Sequence, residues 1–196
     1  MMLLDRLLAK FPQIDPGRVY LTGLSAGAMN SFSYGLNNRS RIAGVAGASA
    51  PFGPPALLDA AKKAGGGAGA EYLPMYAIAG DRDMYKPLPV NDTPRSFYNV
   101  IRAFALVNDI EVPETADLAL NPMFGLTLEA AGASDLGGRR AMIGRRSNRL
   151  GVMIKLVALT PYGHWNFKPA AEDMWAFLSR FRRNIATGAL QVDPQR

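Results

Sequence analysis

The apolar positions along the chain change period several times, and each change marks the edge of an element. Leu3, Leu4, Leu7 and Leu8 recur at helical spacing and predict an amphipathic helix over Met1 to Phe11. Pro12 and the Asp15-Pro16-Gly17 turn stop it. The run Val19-Tyr20-Leu21-Thr22-Gly23 then reads as a strand buried on both faces. Leu24-Ser25-Ala26-Gly27-Ala28-Met29 follows at once, with helical spacing onward through Tyr34 and Leu36. The opening unit is therefore helix, strand, sharp turn, helix.

Two further apolar runs, Ile42 to Ala50 and Pro74 to Gly80, read as buried strands. Between them stand Pro54, Pro55, a short helix over Ala56 to Ala64, and the run Gly65-Gly66-Gly67-Ala68-Gly69. No Lys-Ser/Thr pair follows those glycines, so they predict a flexible surface loop rather than a phosphate cradle. Pro94 to Asn108 carries the stripe Phe97, Val100, Ile101, Phe104 and Leu106 or Val107 and predicts a helix. Val112 to Gly138 has no readable period. Arg139 to Arg146, a turn over Ser147 to Leu150, and Gly151 to Thr160 predict an antiparallel hairpin carrying the last buried strand, with Pro161-Tyr162-Gly163-His164-Trp165 as the loop at its end. A terminal helix is predicted over Ala170 to Arg183, with Met174, Trp175, Leu178 and Phe181 on one face and a frayed tail over 184–196. Strands alternating with helices predict an α/β fold, a mainly parallel sheet flanked by helices with a C-terminal antiparallel hairpin.

Composition narrows the chemistry. A length of 196 residues suits one domain, 1–196, at roughly 150 residues per domain. With Cys 0 there is no disulfide framework, thiolate nucleophile or Cys-ligated metal site, and a single His removes multi-His centres, so no cofactor or metal is expected. No apolar run approaches the ~18 to 20 residues of a membrane span. The opening MMLLDRLLAK carries charges where a signal peptide needs an unbroken apolar stretch. The chain as given reads as soluble and unexported, with no membrane partner and its compartment open. The net charge of +6 gathers at Arg139, Arg140, Arg145, Arg146 and Arg149 and again at Arg180, Arg182 and Arg183. No nucleic-acid motif accompanies these spots, and a solvated surface is the expectation.

Gly23 to Gly27, GLSAG, fits G-x-S-x-G between a predicted strand and a predicted helix. A nucleophile there sits in a strained turn with little room, which suits Gly23, Ala26 and Gly27 around Ser25. The competing reading of Ser25 is a helix N-cap. A serine hydroxyl needs an imidazole base near neutral pH, and the base needs a carboxylate to hold its tautomer. His164 follows the last buried strand, where the chain order serine, acid, histidine requires the base. Asp81 and Asp83 compete for the acid at the carboxyl end of the third strand. Asp83 stands further into the loop and reaches back to the imidazole, leaving Asp81 a turn-forming role. Trp165, Met84, Tyr85, Tyr162 and Phe167 either line an apolar substrate cleft or pack ordinarily.

The stretch IDPGRVYLTGLSAGAMNS resembles the nucleophile region of the polyhydroxybutyrate depolymerase and feruloyl esterase group of α/β-hydrolases. AIAGDRD resembles that group's acid loop, which puts the carboxylate on Asp83, and PYGHWNF resembles its histidine loop. The resemblance implies a serine esterase acting on polyester, feruloyl or acetyl esters, with Ser25, Asp83 and His164 as the triad and the Ala26 N–H in the oxyanion hole. It also implies a truncated α/β-hydrolase fold, because the family's strands before the nucleophile strand, and the second oxyanion amide they carry, have no counterpart here. Strand 19–23 is then expected to present an unpaired apolar edge that a second copy, or rearranged local segments, covers. The alternative expectation is an inactive remnant of that fold serving as a binding or oligomerising module.

Overall fold

The parallel strands form where apolar runs are short and rich in small or β-branched residues, and the helices where the period lengthens. In the computed structural model, residues 2–50, 55–65, 71–85, 87–90, 96–113, 115, 117–129 and 135–193 are described. The elements in chain order are α1 (Met2–Lys10), β1 (Tyr20–Leu24), α2 (Ala26–Asn37), β2 (Gly44–Ala48), α3 (Pro55–Ala64), β3 (Met75–Gly80), α4 (Tyr98–Val107), β4 (Thr127–Leu128), β5 (Asp135–Leu136), β6 (Arg139–Asn148), β7 (Gly151–Thr160), α5 (Ala170–Leu178), β8 (Phe181–Arg183) and β9 (Leu190–Val192). The architecture is mixed α/β. One sheet runs β1-β2-β3-β7-β6-β4, with β5 also paired to β6. β1, β2, β3 and β7 are mutually parallel, whereas β6 joins β7 as the antiparallel hairpin.

Side chains alternate across the strands, so each face of the sheet takes its own helices. On one face a Cβ at Gly47 would lie 2.4 Å from the Phe32 ring and one at Gly35 2.6 Å from Val45, so α2 lies directly on β2. Phe32 meets Phe104 of α4 edge-on at 5.7 Å. The other face carries α5, where Tyr76 of β3 donates to Asp173 at 2.6 Å and Lys155 of β7 pairs with the same carboxylate at 2.6 Å. The glycine run 65–69 falls outside the described residues beyond Gly65, as do Pro54 and the first two residues of the helix predicted from Pro94. That helix begins at Tyr98, and Ser96 and Phe97 form a bend before it.

Three expectations are corrected. β1 is half-buried rather than buried on both faces, because it is the edge strand of the sheet. The terminal helix ends at Leu178, not Arg183. Phe181 and Arg183 belong to β8 instead, and α5 buries Phe177 and Leu178 while Trp175 is left exposed. The tail is not frayed over its described part, since β9 pairs antiparallel with β8 and Leu190 is buried. The cause is Arg183, whose guanidinium enters the core and donates to the carbonyls of Ile42 (2.8 Å), Gly188 (3.1 Å) and Tyr72. A helix at this position would aim the side chain elsewhere. Burial pulls the Arg183 pKa down to about 10, still high enough to keep its charge.

Candidate active site

Parallel strands end on the same rim, and here four neighbours do so together. The hydrogen-bond ladder continues past the strands: Ser25 N–H donates to Ala48 at 2.9 Å, Ser49 N–H to Ile78 at 2.8 Å, and Asp81 N–H to Leu159 at 2.9 Å. The segments after β1, β2 and β3 therefore leave the sheet side by side, next to the loop after β7. Ser25, Asp83 and His164 all lie in these segments.

Ser25 sits between β1 and α2 with φ 55° and ψ −120°. A non-glycine residue there is strained by roughly 1–3 kcal/mol and persists only where its surroundings hold it. The tight reversal depends on Gly23, where a Cβ would fall 2.3 Å from the backbone carbon of Gly27 and 2.6 Å from the nitrogen of Ala28. Gly27 itself meets nothing within 4 Å, so the need for a small residue lies at Gly23 alone of the two. The Ser25 hydroxyl makes no capping bond to α2, contrary to the N-cap reading. The N–H groups of Ala26 and Gly27 open the helix without intrahelical acceptors. No acidic side chain in the first turn offsets the positive end of the helix dipole.

Asp83 is buried, and Oδ1 accepts from the Tyr85 N–H at 3.0 Å. His164 Nδ1 lies 2.9 Å from Oδ1 and 3.1 Å from Oδ2. A carboxylate only accepts, so Nδ1 carries the hydrogen and Nε2 is left as the acceptor. Asp81 does something different. Its Oδ1 accepts the Tyr162 N–H at 2.9 Å, and the Arg82 N–H donates to Tyr162 O at 2.8 Å, pinning the chain just before the imidazole. Gly80 completes that seam, since a Cβ there would lie 2.1 Å from Tyr162 O. Sequence reading passed over Gly80, and only its place at the end of an apolar run hinted at close approach.

The structure brings Asp83 and His164 into contact and puts Ser25 on the same rim. Among the described residues no hydrogen bond joins the Ser25 hydroxyl to the imidazole. Free serine–histidine pairs are often loose and tighten when substrate is bound. Tyr85 stacks obliquely near His164 with ring centroids 6.0 Å apart. Met84 and Trp165 are exposed beside the pair. Tyr162 packs on Phe167 at 5.1 Å, under the Arg139 guanidinium, and Phe167 is buried in the core. Among the described residues no group of three His, Asp or Glu side chains is placed to hold a metal ion, and no helix is long and apolar enough to cross a membrane. No protein-family model matches the chain, and comparison with curated proteins finds no match.

Proposed function

We propose that this protein is a serine carboxylic-ester hydrolase of the α/β-hydrolase type. One observation carries the reading: a buried carboxylate holds the only imidazole of the chain by Nδ1, on the strand rim where a strained, uncapped serine stands. Ser25 Oγ attacks the ester carbonyl while His164 Nε2 takes its proton. Asp83 stabilises the resulting imidazolium. The oxygen of the tetrahedral intermediate collects negative charge beside the Ala26 N–H, and each such donor is worth ~10² to 10³ in turnover. The imidazolium then protonates the departing alcohol, and water releases the acyl group by the same steps in reverse. The motif resemblance supports polyester, feruloyl or acetyl esters as substrates, with Tyr85 beside the imidazole and Met84, Trp165 and Tyr162 in the two loops that carry Asp83 and His164 as the substrate-facing side chains. The test compares hydrolysis of short p-nitrophenyl esters, and covalent labelling by a fluorophosphonate, between wild type and Ser25→Ala. Loss of both on substitution supports the reading. Equal rates overturn it.

A second reading, a binding or oligomerising module, is favoured by the edge of the sheet. No strand pairs with the outer side of β1 among the described residues, and its sequence YLTGL has neither charge nor proline to deter one. A groove of about 480 Å³ beside it is lined by Tyr20, Thr22, Met174, Trp175 and Leu178. Pairing with a second copy along this edge is the form this reading takes. Light scattering across a concentration series, with Thr22→Lys as the blocking variant, tests it, and a strict monomer at high concentration removes it.

A further inference from the structure

Ser49 occupies on β2 the position that Ser25 occupies on β1. Leu24 and Ala48 are register partners, and each serine is the next residue. Both have positive φ, 55° at Ser25 and 50° at Ser49. Strain at Ser25 is understandable from the turn it makes into α2, which begins at the next residue, whereas the next helix after Ser49 begins at Pro55. Ser49 is also buried, at 1% exposure. A hydroxyl taken out of water without a partner costs about 1–3 kcal/mol. Among the described residues its acceptor is the carbonyl of Trp165, at 3.5 Å, the residue directly after His164.

We propose that Ser49 is a positioning residue for the imidazole, acting through the backbone of Trp165. The loop is tied down before His164 by Asp81 and Arg82, both bonded to Tyr162. Beyond the imidazole the Trp165 ring points to solvent and contributes no anchor of its own. On that side the Tyr162 hydroxyl donates to the Asn166 carbonyl at 3.2 Å, and the Ser49 hydroxyl adds a tie at Trp165, the residue bonded directly to His164. The left-handed backbone at Ser49 turns its side chain toward the neighbouring loop while its N–H stays in the ladder with Ile78. These ties bracket the residue that must keep Nδ1 on Asp83.

The kinetic part of this inference rests on the esterase reading, and its structural part does not. Ser49→Gly removes the hydroxyl and relieves the positive φ, so its melting temperature is expected to equal or exceed that of wild type. Ser49→Ala removes the hydroxyl and keeps the strain. The single histidine gives one imidazole Nδ1–H resonance, hydrogen-bonded to Asp83, observable by proton NMR. In both variants that resonance is expected to broaden or vanish through faster exchange with water. With p-nitrophenyl esters kcat is expected to fall on the order of tenfold, with KM little changed, because the base is misplaced and the binding surface is not. A folded Ser49→Gly with a wild-type resonance overturns the proposal, as does one with wild-type kcat. Should wild type itself show no hydrolysis while the resonance is lost in both variants, the esterase reading falls and the role of Ser49 stands.

Discussion

Replacing Asp83 by Asn tests the tautomer argument at its most sensitive point. The Asp83 side chain is fully buried and its oxygens have fixed duties, Oδ1 toward the Tyr85 N–H at 3.0 Å and both oxygens toward Nδ1 of His164. An amide of the same shape keeps its oxygen on the backbone donor, which cannot move away. Its NH₂ then stands at the Oδ2 position, 3.1 Å from Nδ1, where a donor opposes the Nδ1 hydrogen, while the retained oxygen 2.9 Å from Nδ1 is shared with the Tyr85 N–H. The balance shifts toward the tautomer with its hydrogen on Nε2 and Nδ1 accepting from the new NH₂, which leaves no acceptor for the Ser25 proton and no carboxylate to stabilise the imidazolium. In serine hydrolases the wrong tautomer lowers turnover by ~10⁴, or about 5 kcal/mol at 1.36 kcal/mol per tenfold. The assay is the initial rate on p-nitrophenyl butyrate for wild type, Asp83→Asn and Asp81→Asn, with thermal melts to show that all three fold. Asp81→Asn keeps an oxygen for the Tyr162 N–H and is expected to stay within about threefold of wild type, since no proton position depends on it. A folded Asp83→Asn that retains more than about a tenth of wild-type turnover refutes the reasoning, given the ~10⁴ expected. A matching loss in Asp81→Asn refutes it equally.

The elbow predicts a contrast between two glycines. Gly23→Ala drives a Cβ to 2.3 Å from the Gly27 backbone and is expected to lose about 1–3 kcal/mol in urea unfolding, together with Ser25 labelling. Gly27→Ala enters open space on a helix and is expected to gain roughly 0.5–1 kcal/mol. Arg183→Leu leaves the carbonyls of Ile42, Tyr72 and Gly188 without their donor, and a loss of about 3 kcal/mol or more is expected at ~1–3 kcal/mol for each unmet buried group. A loss under about 1 kcal/mol would mean that water reaches those carbonyls. Burial, then the nearby Asp173 carboxylate, hold the Tyr76 phenol well above its usual 10. A raised pKa means that the folded state holds this proton more tightly, so the contribution is complete below about pH 10 and fades as pH rises toward the folded value. Urea midpoints followed from about pH 8 to pH 11 should therefore fall more steeply for wild type than for Tyr76→Phe, and parallel curves would contradict the assignment.

Local signals in the sequence were enough for the parts of the site that lie within a few residues of each other. Small residues around Ser25 announced a sharp turn, and the apolar run ending at Gly80 placed both aspartates at a strand end. The choice between Asp81 and Asp83 turned on reach, and the coordinates put Asp83 on the imidazole and Asp81 on the Tyr162 amide. What escaped was decided by distant partners. Arg183 reads as one more basic residue at the end of a helix, because nothing nearby in the chain reveals that its acceptors include the carbonyls of Ile42 and Tyr72. Those acceptors stop the helix at Leu178 and order the segment through β9. The stretch from Val112 to Gly138 hid for a related reason. Met123 and Leu126 are buried, yet they reach the core from turns flanking two-residue strands, which have no room for a period.

The same division explains why the two strained serines differ in legibility. Ser25 carries a local cause for its backbone, the glycine at 23 and the helix that begins at 26, and both are written in adjacent letters. Ser49 has neither. Its hydroxyl is buried against a carbonyl 116 residues further along the chain, and its backbone keeps the ladder to β3 at the same time. The positive φ at Ser25 accompanies a chain reversal, and that at Ser49 accompanies a ladder bond and a loop contact made by one residue. Under the proposed esterase reading a site on a rim of parallel strands depends on both kinds, because Ser25 and Ser49 leave the sheet from neighbouring strands.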